Sequence, residues 1–180
     1  ILAGKIVVDD QLQTKAGSTF PIDAVVRRKG AVKRFVSRGG DKLAGALDDL
    51  KIAVEGRAVL DLGSSTGGFT DCCLQRGASQ VTAVDVGKGI IAWKLRQDPR
   101  VELREGCGVE DIAPGPYDLI VGDISFNSLQ KLAPAIAPCS NRTGAEYLLL
   151  VKPQFEAQRH EVPEGGVIRD DALRREIVAR

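Results

Sequence analysis

The sequence has few of the residues that hold small secreted or metal-dependent domains together. Its 180 residues include four cysteines and a single histidine, His160, and no C-x-x-C pair. Neither a disulfide framework nor a metal site is therefore expected. No apolar run approaches the roughly 18 residues that a membrane span needs. The composition, 43% hydrophobic and 27% charged, is typical of a globular protein, and its few, scattered cysteines predict a cytoplasmic location.

The two ends of the chain resemble cuts within a longer protein. The sequence contains no methionine and does not begin with a signal peptide. Residues 1–5 resemble the end of a helix that runs into a strand, and residues 170–180 predict an amphipathic helix that stops with the chain. We expect both ends to be fragment boundaries.

The charge is nearly balanced overall, at +1, but it is unevenly distributed. Residues 1–38 contain eight basic and three acidic residues, whereas the remainder contains 17 basic and 21 acidic residues. Six of the basic residues, with no acidic residue among them, are Arg27, Arg28, Lys29, Lys33, Arg34 and Arg38. Such a run attracts phosphate groups and predicts contact with a polyanion. A solvated basic linker is the alternative interpretation.

Short apolar strands alternate with helices along most of the chain. Strands are predicted over 58–62, 80–85, 101–104, 117–123 and 147–151, and helices over 40–50, 69–76, 90–96, 128–136 and 170–180. This alternation is typical of an α/β fold with a buried, mostly parallel sheet that has helices on both faces. Residues 5–8 and 22–26 are further strand candidates, too few for a core of their own. They predict the remaining part of a smaller module.

A turn rich in glycine and serine follows the first strand of the predicted sheet. Residues 63–68 read Gly-Ser-Ser-Thr-Gly-Gly, and glycines at such a turn let a ligand approach the backbone. The spacing differs from G-x-G-x-x-G, which disfavours a pyrophosphate-binding dehydrogenase. Asp85, at the end of the next strand, is placed to bind two ribose hydroxyls, with a helix cap as the alternative. Ribose recognition without a pyrophosphate cradle favours a nucleoside-like cofactor such as S-adenosylmethionine.

Three polar side chains are expected to converge near one edge of the sheet. Asp123 and Lys152 follow predicted strands, and Lys42 lies in the first turn of a predicted helix. A buried ammonium needs a carboxylate beside it, and a second lysine nearby would favour loss of a proton from one of the two. This set suits removal of a proton from a ribose 2′-hydroxyl during methyl transfer, with Lys152 as the base. A structural ion pair and an exposed Lys42 are the alternatives.

Six motifs in a fixed order resemble one family. They are VSRGGDKL at 36–43, DLGSSTGGFTD at 61–71, AVDVG at 83–87, DISF at 123–126, LVKPQFE at 150–156 and GGVIRD at 165–170. Together they resemble the TlyA family of hemolysin A and ribosomal RNA 2′-O-methyltransferases, which is related to the FtsJ-type methyltransferases. The resemblance extends from about Ala3 to the end of the chain.

The resemblance implies a Rossmann-like S-adenosylmethionine-dependent methyltransferase fold, preceded by the remnant of an S4-type RNA-binding domain. Residues 1–32 would be the C-terminal part of that domain, 33–38 the interdomain linker and 39–180 the methyltransferase domain without its C-terminal strands. The implied reaction is methyl transfer from S-adenosylmethionine to cytidine 2′-hydroxyls of ribosomal RNA. Ribosomal subunits would then be the partners, and the basic residues between 27 and 38 would bind RNA.

The family's catalytic set is Lys-Asp-Lys-Glu, and Lys42, Asp123 and Lys152 match its first three members. The glutamate would lie beyond Arg180, and Glu156 belongs to a different motif. Cys107 stands where the family usually carries an asparagine that faces the adenine. The expected cofactor-binding residues are Asp61, Gly63, Ser64, Ser65, Gly67, Gly68, Phe69, Asp85, Val86, Cys107 and Asp123.

Other functions are distinguished by simple binding measurements. A catalytically inactive RNA-binding protein with the same fold would bind RNA but not S-adenosylhomocysteine. A nicotinamide-dependent oxidoreductase would bind NADH, and a membrane-lytic protein would release the contents of liposomes. Phe126 and Phe155, which follow the two candidate catalytic strand ends, are candidates for stacking on an unpaired RNA base.

Overall fold

A computed structural model describes residues 4–29 and 34–180, and its contacts divide the chain into two compact units, Ile1–Lys33 and Arg34–Arg180. The first unit contains three short antiparallel strands in the order β2-β1-β3. They are β1 (Ile6–Val8), β2 (Gln11–Gln13) and β3 (Val26–Arg28).

The strand predicted over 5–8 is confirmed as β1, but the strand predicted over 22–26 is wrong. Only Val26 of that stretch pairs with β1, because residues before it form a turn in which the backbone N–H of Val25 donates to the Asp9 carboxylate at 2.9 Å. The short strand β2 was not predicted, since its Gln-Leu-Gln sequence contains none of the β-branched or aromatic residues that mark strands.

The second unit has the predicted α/β architecture. Its elements are α1 (Arg38–Asp49), β4 (Ala58–Leu62), α2 (Gly68–Gln75), β5 (Gln80–Asp85), α3 (Trp93–Arg96), β6 (Val101–Glu105), β7 (Leu119–Gly122), α4 (Leu129–Ile136), β8 (Glu146–Leu149), α5 (Pro153–Glu156) and α6 (Asp171–Ala179). The five strands are parallel and lie in the order β6-β5-β4-β7-β8. The strand order therefore reverses beside β4, and ligands of such sheets bind at the carboxyl ends of the strands near that reversal.

Alternate side chains of the strands face two separate apolar layers. On one face, Val59 of β4 belongs to a cluster that includes Leu43 of α1 and Phe69 of α2. On the other face, Leu60 belongs to a cluster that includes Ile136 of α4. Both faces of the sheet are thus covered, which explains why its strands are almost continuously apolar in sequence.

The predicted elements of this unit are confirmed to within two residues at each end, with one exception. The helix predicted over 90–96 is only Trp93–Arg96, because Ala92 adopts an extended conformation and Ile91 is buried near Gly67. No helix in the part of the chain that the structure describes is both long and apolar enough to cross a membrane.

Glycines allow α1 and α2 to begin in close contact. A Cβ atom on Gly40 would lie 2.3 Å from Cγ of the buried Phe35. A Cβ atom on Gly68 would lie 2.3 Å from Oγ of Ser37 and 2.9 Å from the backbone nitrogen of Gly40. A larger residue at position 68 would push the two helix starts apart, and one at position 40 would displace Phe35. Lys42, in the first turn of α1, depends on this contact for its position.

A carboxylic acid is buried beneath the loop that follows β4. Asp61 is fully buried, and its Oδ2 accepts a hydrogen bond from Oγ1 of Thr70 at 2.6 Å. Burial raises the pKa of Asp61 to about 7, against the smaller lowering effect of the hydrogen bonds from Thr70. The nearby charges of Asp123 and Asp85 raise the pKa further. Asp61 is therefore largely protonated in the folded protein below neutral pH.

Two glycines of α1 test the close contact between Gly40 and Phe35. Gly40→Ala should lower the free energy of unfolding by about 1–3 kcal/mol because its methyl group overlaps Phe35. Gly45→Ala is the matched control, since nothing lies within 4 Å of its Cβ position, and it should raise stability by about 0.5–1 kcal/mol through helix propensity. Urea unfolding followed by circular dichroism measures both values. Equal effects of the two substitutions would contradict the close contact.

Asp61 predicts a specific dependence of stability on pH. Its unfolded-state pKa is near 3.8 and its folded-state pKa is about 7, so between these values the folded protein binds the extra proton. This extra proton stabilises the folded protein. Its contribution to the free energy of unfolding is complete below about pH 4 and is lost as the pH rises through 7, a decrease of up to roughly 2–4 kcal/mol. Urea unfolding at several pH values between 5 and 8 should show this loss in the wild type and not in Asp61→Asn. A difference between the two proteins that stays constant with pH would exclude the buried acid.

Candidate active site

Asp123 lies between two lysines at the carboxyl edge of the sheet, directly after β7. Its Oδ2 accepts a hydrogen bond from Nζ of Lys42 at 3.1 Å, and its Oδ1 lies 2.6 Å from Nζ of Lys152. Because β7 and β8 are neighbouring parallel strands, the residues that follow them meet at the same edge. The structure thus brings the three predicted catalytic side chains together.

The two lysines of this cluster have different surroundings. The Lys152 side chain is 16% exposed and that of Lys42 is 53% exposed. Nζ of Lys152 also lies 2.5 Å from Oγ of Ser125 and 3.3 Å from the carbonyl oxygen of Asp123. Each of the three N–H groups of this ammonium thus has an oxygen within reach.

The carboxylate of Asp123 is ionised at neutral pH. Burial raises its pKa, but the hydrogen bonds and charges of Lys152 and Lys42 outweigh burial and hold the pKa below its usual value. The pKa values of Asp61 and Asp123 are therefore shifted in opposite directions: burial raises the pKa of Asp61 to about 7, whereas the two lysines lower the pKa of Asp123.

The glycine-rich loop between β4 and α2 is tied to the end of β5. The backbone N–H of Gly63, at a φ of 77°, donates to the carbonyl oxygen of Val84 at 2.9 Å. The two oxygens of Asp85 accept hydrogen bonds from the backbone N–H groups of Ser65 and Gly87, each at 2.7 Å. A carboxylate can accept about four hydrogen bonds. Asp85 therefore braces the loop and keeps acceptor capacity for a ligand.

Two adjoining cavities open at this edge, with Gly63, Ser65, Asp123 and Ser125 in the walls of both. The first, of about 270 Å³, is bordered by the two lysines and by the starts of α1 and α2. The second, of about 310 Å³, is bordered by the ends of β5 and β7 and by α4. The lysine cluster therefore stands where the two cavities meet.

Most of the predicted cofactor-binding residues line these cavities. Besides the shared residues, the first cavity is lined by Ser64, Gly68 and Phe69, and the second by Asp85, Val86 and Cys107.

Asp61 and Gly67, which were also predicted to bind the cofactor, line neither cavity. Asp61 is buried below the loop against Thr70. Gly67 adopts a φ of 91° as the N-cap of α2, and a Cβ atom there would lie 2.2 Å from the side chain of Leu95. Both residues support the glycine-rich loop from the side that faces the protein core.

Ser125 is a site residue that sequence reasoning did not identify. Its hydroxyl contacts Lys152 and faces both cavities. Its place two residues after Asp123 was the available signal, but a lone serine in a loop does not indicate which distant side chain it meets. Ser37 and Gly39, at the start of α1, also line the first cavity and were not predicted.

Glu156 has a structural role. Its carboxylate accepts hydrogen bonds from Oγ of Ser128 at 2.6 Å and from the backbone N–H groups of Leu129 and Gln130 at 2.7 and 3.5 Å. Glu156 therefore caps the start of α4.

The predicted RNA-binding residues are divided between the two units. Arg27, Arg28 and Lys29 belong to the first unit, Arg34 and Arg38 belong to the second, and Lys33 lies outside the described residues. In the second unit, Arg34 and Arg38 are exposed, and the guanidinium of Arg34 lies 4.9 Å from the centre of the Phe35 ring. Contact with RNA stays a prediction.

The sequence comparisons agree with this geometry. The family model described as FtsJ-like methyltransferase matches residues 35–180. The chain is 44% identical over 177 residues to the 16S/23S rRNA (cytidine-2′-O)-methyltransferase TlyA of Mycobacterium tuberculosis, an alignment that covers 96% of this chain and 66% of that protein. It is 45% identical over 187 residues to hemolysin A of Brachyspira hyodysenteriae, covering 99% and 75%. The chain thus spans just under two thirds of the length of the TlyA relative.

The structural comparison gives the same relationship. A candidate hemolysin from Streptococcus thermophilus superposes with a TM-score of 0.79 at 37% identity, over 99% of this chain and 66% of that one. The predicted fold class is confirmed, because the fold is shared with S-adenosylmethionine-dependent methyltransferases. The predicted resemblance is confirmed as well: the chain belongs to the FtsJ-like methyltransferase family, in the group that contains TlyA and hemolysin A.

Proposed function

We propose that this chain forms the methyltransferase part of an enzyme that transfers a methyl group from S-adenosylmethionine to cytidine 2′-hydroxyls in ribosomal RNA. The observation that carries the proposal is the carboxylate held between two ammonium groups where two cavities meet. A relative at 44% identity is named for this reaction on 16S and 23S rRNA, which supports the choice of target.

The second cavity and the glycine-rich loop fit the cofactor. The unused acceptor capacity of Asp85 suits ribose hydroxyls, and the side chains of Val84 and Val86 suit the faces of an adenine. In the first cavity, the buried hydroxyl of Ser64 has no hydrogen-bond partner among residues 34–180 and is available to a ligand. When bound, S-adenosylmethionine supplies a methyl group activated by its sulfonium charge.

Each side chain of the cluster has its own task. We assign proton removal to Lys152, which in its amine form takes the proton of the target hydroxyl at Nζ; it is the less exposed of the two lysines and borders the first cavity. The ammonium of Lys42, which is more exposed, stabilises the alkoxide that forms. Asp123 orients both lysines. Both lysines lie within hydrogen-bond distance of the Asp123 carboxylate.

Phe126 has a backbone that turns its ring towards solvent near the cluster. Its φ is 67° and its side chain is 88% exposed. The left-handed region is uncommon for a residue other than glycine, and such strain clusters at functional sites. The ring centre lies 5.6 Å from that of Phe155. This pair supports the proposal that Phe126 stacks on the unpaired target base.

The first unit and the basic residues complete the proposal. We assign the three strands of the first unit to the remnant of an S4-type RNA-binding domain, with ribosomal RNA as its partner. The basic residues between 27 and 38 then contact RNA phosphates, and each such contact adds affinity that decreases with salt.

Removal of the base tests the reaction. In the full-length protein with ribosomal subunits, Lys152→Met should lower the rate of methyl transfer by roughly 10²–10⁴-fold, since a positioned acid or base contributes about that much. Affinity for S-adenosylhomocysteine, measured by calorimetry, should change little. Lys51→Met, just after the end of α1, is the matched control and should retain the wild-type rate.

Three outcomes would contradict parts of the proposal. Full turnover by Lys152→Met would exclude Lys152 as the base. A wild-type protein that binds RNA but not S-adenosylhomocysteine would be the inactive RNA-binding alternative. Binding of NADH in place of S-adenosylhomocysteine would indicate an oxidoreductase.

Phe126→Leu tests the stacking role because it keeps an apolar side chain and removes the aromatic face. Stacking is worth about 1–3 kcal/mol per base, so kcat/KM for RNA should fall roughly 5–150-fold. Phe126→Tyr should stay close to the wild type. Calorimetry with S-adenosylhomocysteine should show unchanged affinity, and a parallel loss of cofactor affinity would instead place the ring against the cofactor.

A further inference from the structure

Asp71 of α2 is a buried carboxylate outside the lysine cluster. Its side chain is 4% exposed, yet it accepts hydrogen bonds from three separate groups. The backbone N–H of Val36 donates at 2.8 Å, Nε2 of Gln75 at 3.1 Å, and Nζ of Lys94 at 2.9 and 3.0 Å to the two oxygens. Nε2 of Gln75 also donates to the carbonyl oxygen of Arg34 at 2.9 Å. Asp71 and Gln75 thus bind the backbone of residues 34–36.

These bonds connect the parts of the chain that form the walls of the first cavity. Residues 34–36 lead directly into α1, which contributes Ser37, Gly39 and Lys42 to that cavity. Lys94 belongs to α3, and the backbone N–H of Ala92 just before α3 donates to the carbonyl oxygen of Thr66 in the glycine-rich loop at 3.1 Å. One carboxylate on α2 therefore joins the segment before α1 to α3.

The ion pair of Lys42 does not itself hold α1 in place. The Lys42 side chain is 53% exposed, and exposed ion pairs contribute little to stability. The start of α1 also lacks a side-chain cap, since Ser37 makes no capping hydrogen bond. Leu43, Ala44 and Leu47 anchor the buried face of α1 in the core. The segment just before its first turn is held by the hydrogen bonds to Asp71 and by the packing of Phe35 against Gly40.

We infer that Asp71 is a positioning residue, which clamps residues 34–36 onto α2 and thereby places the first turn of α1 so that Lys42 reaches Asp123. No atom of Asp71 lines either cavity, so its effect on chemistry passes through Lys42. The consequence for methyl transfer rests on the proposed function, but the placement of Lys42 does not.

The titration of Asp123 reports this placement without any need for activity. Carbon-13 NMR of the Asp123 carboxyl group is compared in the wild type, Asp71→Asn, Lys42→Met and the double variant. Lys152 and Asp61, the other charged or titratable groups that face Asp123, are present in all four proteins. Lys42→Met should raise the pKa of Asp123, because it removes one of the two cations that lower it. Asp71→Asn should raise the pKa in the same direction, and the double variant should add little to Lys42→Met.

Methyl transfer gives a second readout of the same coupling. Asp71→Asn should lower the single-turnover rate by roughly 10–100-fold, the cost of a small displacement of a catalytic group. The effect should be strongly non-additive with Lys42→Met. If the wild type transfers no methyl group while the titrations behave as described, the proposed function fails and the positioning role stands.

Two further variants keep the test informative. Gln75→Ala alters an exposed side chain, so it should fold even if Asp71→Asn does not, and it should shift the Asp123 titration less but in the same direction. Asp118→Asn is the matched control, because Asp118 likewise accepts from a backbone N–H, that of Ala58 at 2.9 Å, and from the Arg142 guanidinium at 2.6 Å. It should leave the titration of Asp123 unchanged. A folded Asp71→Asn or Gln75→Ala protein with a wild-type Asp123 titration would overturn the inference.

Discussion

The rest of the site depends on the negative charge of Asp123. Two ammonium groups repel each other at a partly buried sheet edge, where the effective dielectric constant is lower than that of water. A carboxylate between them reverses the sign of the interaction for both. Because Oδ2 faces Lys42 and Oδ1 faces Lys152, the carboxylate also sets the direction of each lysine. A neutral residue at position 123 would leave the lysines without a common partner.

The backbone geometry around Asp123 explains how such distant residues meet. Parallel strands end side by side, so the residues after β7 and β8 share one edge. Lys42 comes from a helix and not from a strand end. It reaches this edge only because the start of α1 can approach α2 closely. Gly68 provides that approach, and Gly40 leaves room for Phe35 in the segment that leads into α1. The cluster thus depends as much on the absence of side chains at two positions as on the presence of three.

The sequence predicted the parts of this molecule that follow from burial. The strands were located to within two residues because both faces of the sheet are covered, which makes each strand an apolar run. The helix before Asp98 was predicted too long because the apolar residues 90–92 resemble a helix face, whereas Ile91 is buried in a bend that precedes the helix. The cluster was predicted because charged residues after buried strands are rare.

The side chains that sequence reasoning missed share a physical property. Ser125 and Asp71 act through hydrogen bonds to partners 27 and 35 residues away in the chain. Hydroxyl and carboxylate groups are common on protein surfaces, so their type alone does not distinguish a solvated side chain from a buried clamp. Asp71 accepts its hydrogen bond from the backbone N–H of Val36, and nearly any residue at position 36 could donate it. The type of residue at position 36 therefore does not reveal the contact. Such contacts emerge only when the packing is known.

The charges that border the two cavities are separated, and this separation favours a reaction between a cation and a polyanion. The first cavity is bordered by both lysines, whereas Asp85 and Glu110 add negative charge to the second. A sulfonium cofactor is attracted to the acidic side, and the phosphates that flank a target ribose are attracted to the basic side. Asp123 lines both cavities. The target hydroxyl in the first cavity and the methyl donor in the second would therefore meet beside its carboxylate. A dehydrogenase would place the anionic pyrophosphate of its cofactor at the glycine-rich loop. There the negative charge of Asp85 would repel it.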